Sequence, residues 1–289
     1  TTEIYTLSLH DALPILLTCI ASRRTPGRLA EIQSYVTFSS DGITWAPLQE
    51  IPVGEQHWYW RPVWHDGVCY CITYKIASKT RRAMSLFSSE DGRDYRIVNL
   101  QLYSTMLPSE AAMVFLEDDR AICVVRRDGG DKKAVIGKAR PPYTDWTWKD
   151  LDRSIAGPCL QQLADRRIIV SGRFSEPSTH TGLCWLNVDD GTTEEFLSLP
   201  SGGYTGHPSI QVRDNELFVA YFSSHEGATG NYVARLALDT STDTTFELFN
   251  GRDLSGWSVG YLRYTKDKSP KRWVIDKTAE VLQIGRAHV

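Results

Sequence analysis

Glu110 and Arg126 stand sixteen residues apart, at the outer ends of two apolar runs joined by a polar turn. Two antiparallel strands joined by a tight turn bring such ends together at one rim, which sets a carboxyl beside a guanidinium. Arg173 holds the corresponding place one repeat later. Arg61 follows Trp58, Tyr59 and Trp60 at the start of another such run. An aromatic face next to a guanidinium suits a sugar, because one stacks and the other holds oxygens, so Trp60 and Arg61 are candidate substrate-binding groups. His207 opens the last run, where an imidazole can act as general acid or base near neutral pH, and Tyr204 lies three residues earlier, able to swing in. Plainer readings stand beside these. Glu110 and Arg126 can form a rim salt bridge, the Trp58–Arg61 stretch can be packing between sheets, and His207 and Tyr204 can simply line a channel. Arg127 and the turn residue His65 are expected to be solvated, and His225 with Glu226 follows the last strand of the series.

The elements that must position these residues repeat. Four segments, Trp60–Tyr74, Glu110–Arg127, Gly157–Arg173 and His207–Phe222, each read as an apolar strand, a turn centred on Asp and a second apolar strand. Their turn residues Asp66, Asp118, Asp165 and Asp214 fall at spacings of 52, 47 and 49. Eight residues after each Asp come Tyr74, Arg126, Arg173 and Phe222. An outer pattern, Ser-x-Asp-Gly-x-x-aromatic, recurs fifty residues apart at Ser39–Trp45 and Ser89–Tyr95. There the Ser and Asp can bond turn backbone while the aromatic packs between sheets. A hairpin plus an outer hairpin near every fifty residues predicts four-stranded blades: an all-β, incomplete β-propeller of about four to five blades out of six. Cys19, Cys71 and Cys123 fall on second strands, where Cys behaves as a small buried apolar residue. No CxxC or Cys/His ligand spacing occurs, so neither a metal nor a cofactor is expected.

The outer pattern resembles the Asp-boxes of sialidase-type propellers, and residues 16–238 resemble bacterial sialidase-like glycoside hydrolases with six blades. SSDGITW, the Glu110–Arg126 spacing, RPPYTDWTW (Arg140–Trp148), LPSGG (Leu199–Gly203) and YFSSHEG (Tyr221–Gly227) carry the likeness. It implies an exo-acting hydrolase that removes a terminal, acidic sugar from a glycan. Glu110 would be the base that activates a Tyr nucleophile, Arg126 one carboxylate clamp and Arg173 a second. The chain departs from the pattern where that Tyr is expected, reading GGYTGHPS with His207 in the place and Tyr204 nearby. The family's first arginine and acid Asp would lie upstream of Leu16, so this fragment is expected to be inactive. The alternative is a non-catalytic glycan-binding propeller that presents a sugar-hydrolase domain; a protein-interaction scaffold is the third reading.

The remaining sequence bounds the problem. With 289 residues, 23% of them charged, and a net charge of -3, no basic run exists to suit nucleic acid, and no apolar stretch is long enough to span a bilayer. A glycan or oligosaccharide is the expected partner, and the oligomeric state is left open. The two ends look foreign. Residues 1–15 and 284–289 back-translate to adapter-like DNA in which GCTCTTCCGAT is the reverse complement of ATCGGAAGAGC, so 16–283 is taken as the natural segment. The apolar stretch Ala12–Ala21 straddles that junction and says nothing about export; sugar-acting domains of the expected kind lean towards the periplasm or exterior. A polar linker, 239–245, precedes FELFNGRDLSGW, and residues 246–283 resemble the opening of a 3-keto-disaccharide hydrolase jelly-roll domain.

Overall fold

The computed structural model describes residues 3–10, 13–23, 31–52, 57–78, 81–213, 215–238, 275–276 and 281–282. Every element among them is a β-strand. The first sheet holds β1 (Glu3–His10), β2 (Leu13–Arg23), β3 (Glu31–Ser39) and β4 (Gln49–Glu50). The second holds β5 (His57–His65), β6 (Val68–Ser78), β7 (Arg81–Ser89) and β8 (Arg96–Tyr103), and the third β9 (Pro108–Phe115), β10 (Ala121–Arg127), β11 (Val135–Ala139) and β12 (Thr147–Asp150). The fourth holds β13 (Ala156–Gln162), β14 (Ile168–Phe174), β15 (His180–Asn187) and β16 (Thr192–Leu199). The fifth holds β17 (Thr205–Arg213), β18 (Glu216–Ser223) and β19 (Gly230–Ala237), and a short pair, β20 (Ile275–Asp276) with β21 (Val281–Leu282), stands apart in sequence.

Within each of the five sheets the strands follow chain order and pair antiparallel, which is the blade of an incomplete β-propeller. The four hairpins expected from the repeat are β5–β6, β9–β10, β13–β14 and β17–β18. Asp66 takes part in the β5–β6 turn, and Asp214 lies outside the described residues. Residues 3–10, within the segment that looks foreign in sequence, form β1, which pairs with β2. The stretch Tyr5–Leu9 alternates apolar with Thr6 and Ser8, and that period suits a strand whatever its origin. The linker 239–245 and most of 246–283 lie outside the described residues.

The chain forms two compact units, one of residues Thr1–Ser154 with Val188–Gly191 and one of Ile155–Asn187 with Thr192–Val289. In the first, successive side chains of a strand face neighbouring sheets on either side. Val36, Phe38 and Ile51 pack with Tyr59 and Cys71 between the first and second sheets. Trp60, Ile72, Met84 and Leu86 pack with Met113, Cys123 and Val125 between the second and third. In the second unit Ile169, Leu183 and Leu199 pack with Ile210, Val219 and Tyr232. Each such large apolar side chain contributes about 1.5–3 kcal/mol when fully buried. The outer strand β8 has only one buried residue, so the inner hairpins supply most of the packing.

The two outer turns share one geometry. Ser39 Oγ accepts from Gly42 N at 2.8 Å, and Asp41 Oδ1 accepts from Ile43 N and Thr44 N at 2.8 and 2.7 Å. Ser89 and Asp91 make the same set with Gly92, Arg93 and Asp94. Those backbone donors stabilise the carboxylate and hold Asp41 at about 2. Both aspartates therefore build turns.

Candidate functional site

The first strand of four blades begins with the same irregularity. On β5 the pairing steps from Trp60↔Ile72 to Val63↔Tyr70, and on β9 from Pro108↔Arg127 to Ala111↔Val125. On β13 it steps from Ala156↔Arg173 to Cys159↔Ser171, and on β17 from Gly206↔Phe222 to Ser209↔Ala220. Each step leaves one extra residue on the first strand, a β-bulge, which bends the strand and re-aims a side chain. The extra positions are Arg61-Pro62, Ser109-Glu110, Gly157-Pro158 and His207-Pro208. Arg61, Gly157 and His207 have φ of 29°, 59° and 48°. For Arg and His that conformation costs about 1–3 kcal/mol, and such strain gathers at functional sites. Three of the residues chosen from sequence, Arg61, Glu110 and His207, thus occupy equivalent bulges. A recurrent X-Pro inside a strand is the sequence signal for it, since Pro within a sheet is confined to edges and bulges.

In the first unit Glu110 and Arg126 meet. Arg126 Nη1 donates to Glu110 Oε2 at 2.8 Å, the contact expected from their spacing and equally the rim salt bridge of the plainer reading. The chain of charges runs further. Arg126 Nε donates to Asp128 Oδ1 at 2.8 Å, and Arg82 Nη1 donates to Asp128 Oδ2. Sequence reasoning missed Arg82 and Asp128. Asp128 follows the end of β10 by one residue, and Arg82 comes from β7, so no spacing within one hairpin links them. Beneath them lies Tyr74, 8% exposed and stacked on Trp58 at 5.9 Å. Burial first, then the nearby Glu110 carboxylate, pushes its hydroxyl far above the usual phenol range. Tyr74 is therefore a neutral phenol at physiological pH and no activated nucleophile.

Other sequence expectations in this unit need correction. Trp60 is 2% exposed within the core between the second and third sheets, so no sugar can stack on it. Alternation puts it on the core face, while Arg61 at the bulge is partly exposed. Arg127 is not solvated but 3% exposed, donating to Lys133 O and paired with Asp150 Oδ1 at 2.8 Å. His65 is not free in solvent either: its ring stacks on Phe115 at 4.3 Å, and Nε2 lies 3.0 Å from Asp119 Oδ1. Among the described residues, His65, Asp66 and Asp119 are the group with three possible metal donors within 4.8 Å. They stand at hairpin turns, at the other end of the strands from Glu110.

In the second unit His207 packs on Gly157, where an added Cβ would lie 3.0 Å from His207 Nδ1. Phe222 lies 5.7 Å from the His207 ring and 4.9 Å from Tyr204, which is 58% exposed. Ser224 N donates to Tyr204 O at 2.9 Å and anchors the loop. Arg173 pairs with Ala156 and Thr181, and its Cβ lies 3.5 Å from an added Cβ at Gly206. His225 and Glu226 are tied into the fold. His225 Nδ1 lies 3.0 Å from Ser223 Oγ, its ring is 4.4 Å from Tyr232, and Tyr232 donates to Glu226 at 3.1 Å.

No family model and no curated protein matches the sequence. Solved structures do match. A protein of unknown function from Dyadobacter fermentans is 17% identical, with a TM-score of 0.67 over 79% of this chain and 74% of that one. A GH43 β-xylosidase/α-arabinofuranosidase from a compost microbial metagenome, solved in complex with xylotriose, is 12% identical at a TM-score of 0.57 over 86% and 94%. The Bombyx mori GH32 β-fructofuranosidase is 14% identical at 0.58 over 86% and 62%. These likenesses show the fold. This chain is built as a β-propeller. The GH43 and GH32 structures on the same fold are named as glycosidases by their own chemistry, and at these identities nothing more passes to this chain.

Proposed function

We propose that this chain is part of a carbohydrate-active hydrolase of the β-propeller type, acting on a terminal sugar of a glycan. Glu110 is its acid/base carboxyl and Arg126 the group that orients it. The contact between Glu110 Oε2 and Arg126 Nη1 at 2.8 Å, seated on a bulged strand beside an aromatic floor, carries the reading. A carboxyl held by a guanidinium at a partly exposed strand end can exchange a proton with a glycosidic oxygen or a water. The exo-sialidase-like form of the proposal adds a sugar carboxylate held by Arg126. The named activities of the GH43 and GH32 neighbours support sugar handling in general.

A second reading, a glycan-binding propeller without turnover, draws on His207. It stands where the resemblance calls for Tyr, and its ring packs on Gly157 and near Phe222. The fluorogenic sialoside, xyloside, arabinofuranoside and fructoside are assayed with the longer protein of which this chain is part and its Glu110→Gln variant, alongside binding of the free sugars. Turnover lost in Glu110→Gln supports the hydrolase. Binding without turnover in either protein supports the second reading, and neither binding nor turnover overturns both.

A further inference from the structure

We infer that Asp128 decides which sugars the Glu110 rim accepts: it fills the place of a ligand carboxylate between two arginines, so the site takes an uncharged sugar and turns away an acidic one. The inference rests on the sugar-handling reading above and narrows its substrate class. One carboxylate, through both oxygens, takes hydrogen bonds from two guanidinium groups, Arg82 Nη1 on Oδ2 and Arg126 Nε on Oδ1. That is how arginines hold an acidic ligand, and here the protein supplies the acid itself. Arg126 Nη1 is engaged by Glu110 as well, so the four residues alternate in sign and sum to zero.

Asp128 is not easily displaced. Its N–H donates to Leu107 O at 3.0 Å and the next N–H, of Gly129, donates to Met106 O at 2.9 Å, so the backbone is pinned and only side-chain rotation can free the arginines. The Arg82, Arg126 and Asp128 side chains are 22%, 26% and 26% exposed, within reach of a solute. An arriving carboxylate would meet Asp128 and Glu110 at short range, and like charges repel there with little screening. A sugar hydroxyl meets no such penalty. It can accept from a guanidinium N–H not used in the chain, since each guanidinium has five, and donate to a carboxylate oxygen.

Asp128→Asn keeps the shape and removes the charge. Glucuronate and xylotriose are the probes, titrated calorimetrically against the wild-type chain and the variant, with circular dichroism to confirm the fold. The expected result is glucuronate bound at least about tenfold more tightly by Asp128→Asn (about 1.4 kcal/mol), while xylotriose shows no such gain. Glucuronamide, which has the same shape without the charge, gains nothing, and adding Arg82→Gln removes the gain. Asp128→Ser is read the same way if the Asn variant does not fold. Wild type binding glucuronate as tightly as the variant, or a folded variant that binds xylotriose and gains no affinity for glucuronate, overturns the inference and leaves the sugar-handling reading standing. Folded proteins that bind neither probe overturn the sugar-handling reading, and the inference with it.

Discussion

Gly157→Ala tests whether the bulge on β13 is what seats His207. Gly157 has φ of +59°, and a Cβ there would lie 3.0 Å from His207 Nδ1 and 3.2 and 3.3 Å from its backbone N and Cα. Two costs add. An L-residue in the left-handed region loses about 1–2 kcal/mol, and crowding against a pinned backbone adds about 1–3 kcal/mol. A stiffer unfolded chain returns about 0.4–1 kcal/mol, which leaves a net destabilisation of about 1–4.5 kcal/mol. Gly227→Ala, in the same unit, isolates the first cost, since its φ is +82° and nothing lies within 4 Å of an added Cβ. It should lose only about 1 kcal/mol. Urea denaturation of both variants gives the difference, about 1–3 kcal/mol, from midpoints at unchanged slope. The imidazole resonances of His207 should move in Gly157→Ala and stay in Gly227→Ala. Equal losses in the two variants, with His207 unmoved, would refute the packing of the imidazole on Gly157 and with it the argument that this bulge seats His207.

Three further outcomes follow from the same geometry. Arg127→Met, which keeps the packing but removes the charge-assisted bonds to Lys133 O and Asp150, should cost about 1–3 kcal/mol in urea, because the bonds of a buried guanidinium are lost; a loss under about 0.5 kcal/mol would return Arg127 to the surface. His57 and His225 are both lowered from 6.5, by burial first, and His57 is also opposed by Lys75. The unfolded chain then binds more protons than the folded one. Their contribution is fully present above about 6.5 and lost as pH falls through their lower folded values. The urea midpoint should fall between pH 7 and pH 5, less steeply in His57→Gln, and an identical slope in wild type and variant would remove His57 from the account. The Asp41 carboxyl, followed by NMR, should titrate at about 2, so its contribution is present above 3.8 and lost as pH falls through about 2; a midpoint near 4 would mean that the Ile43 and Thr44 amides do not bond it.

The hairpins were legible because the chain repeats an alternating pattern around an Asp turn, and any sequence of that period must pair in order. Glu110 with Arg126 was legible for the same reason: both belong to one hairpin, and a count of residues settles which ends meet. Trp60 was misread because its neighbour Arg61 was taken with it, although alternation sends the two to opposite faces and the bulge carries only Arg61 outward. Arg127 was misread because a charge at a strand end usually finds water. Here Lys133 O and Asp150 are folded over it, and those contacts come from residues beyond the strand. The clearest missed signal was the recurrent X-Pro at residues 61–62, 157–158 and 207–208. A proline costs a strand one ladder bond, so its recurrence at one register marks a place where the ladder is already broken.

Arg82 and Asp128 show where such reading stops, and why the stop falls at the chemistry. Local spacing determines which side chains share a hairpin end, but the charge of a rim depends on groups that arrive from different elements. Arg126 alone, read from sequence, is a free guanidinium suited to an acidic sugar. With Asp128 on its Nε and Glu110 on its Nη1 it becomes one member of a neutral chain, and the preferred ligand changes from an anion to a polyol. The substrate class of this rim is therefore a property of the tertiary contact between β7 and the end of β10, and a single neutralising change at Asp128 should be enough to reverse it.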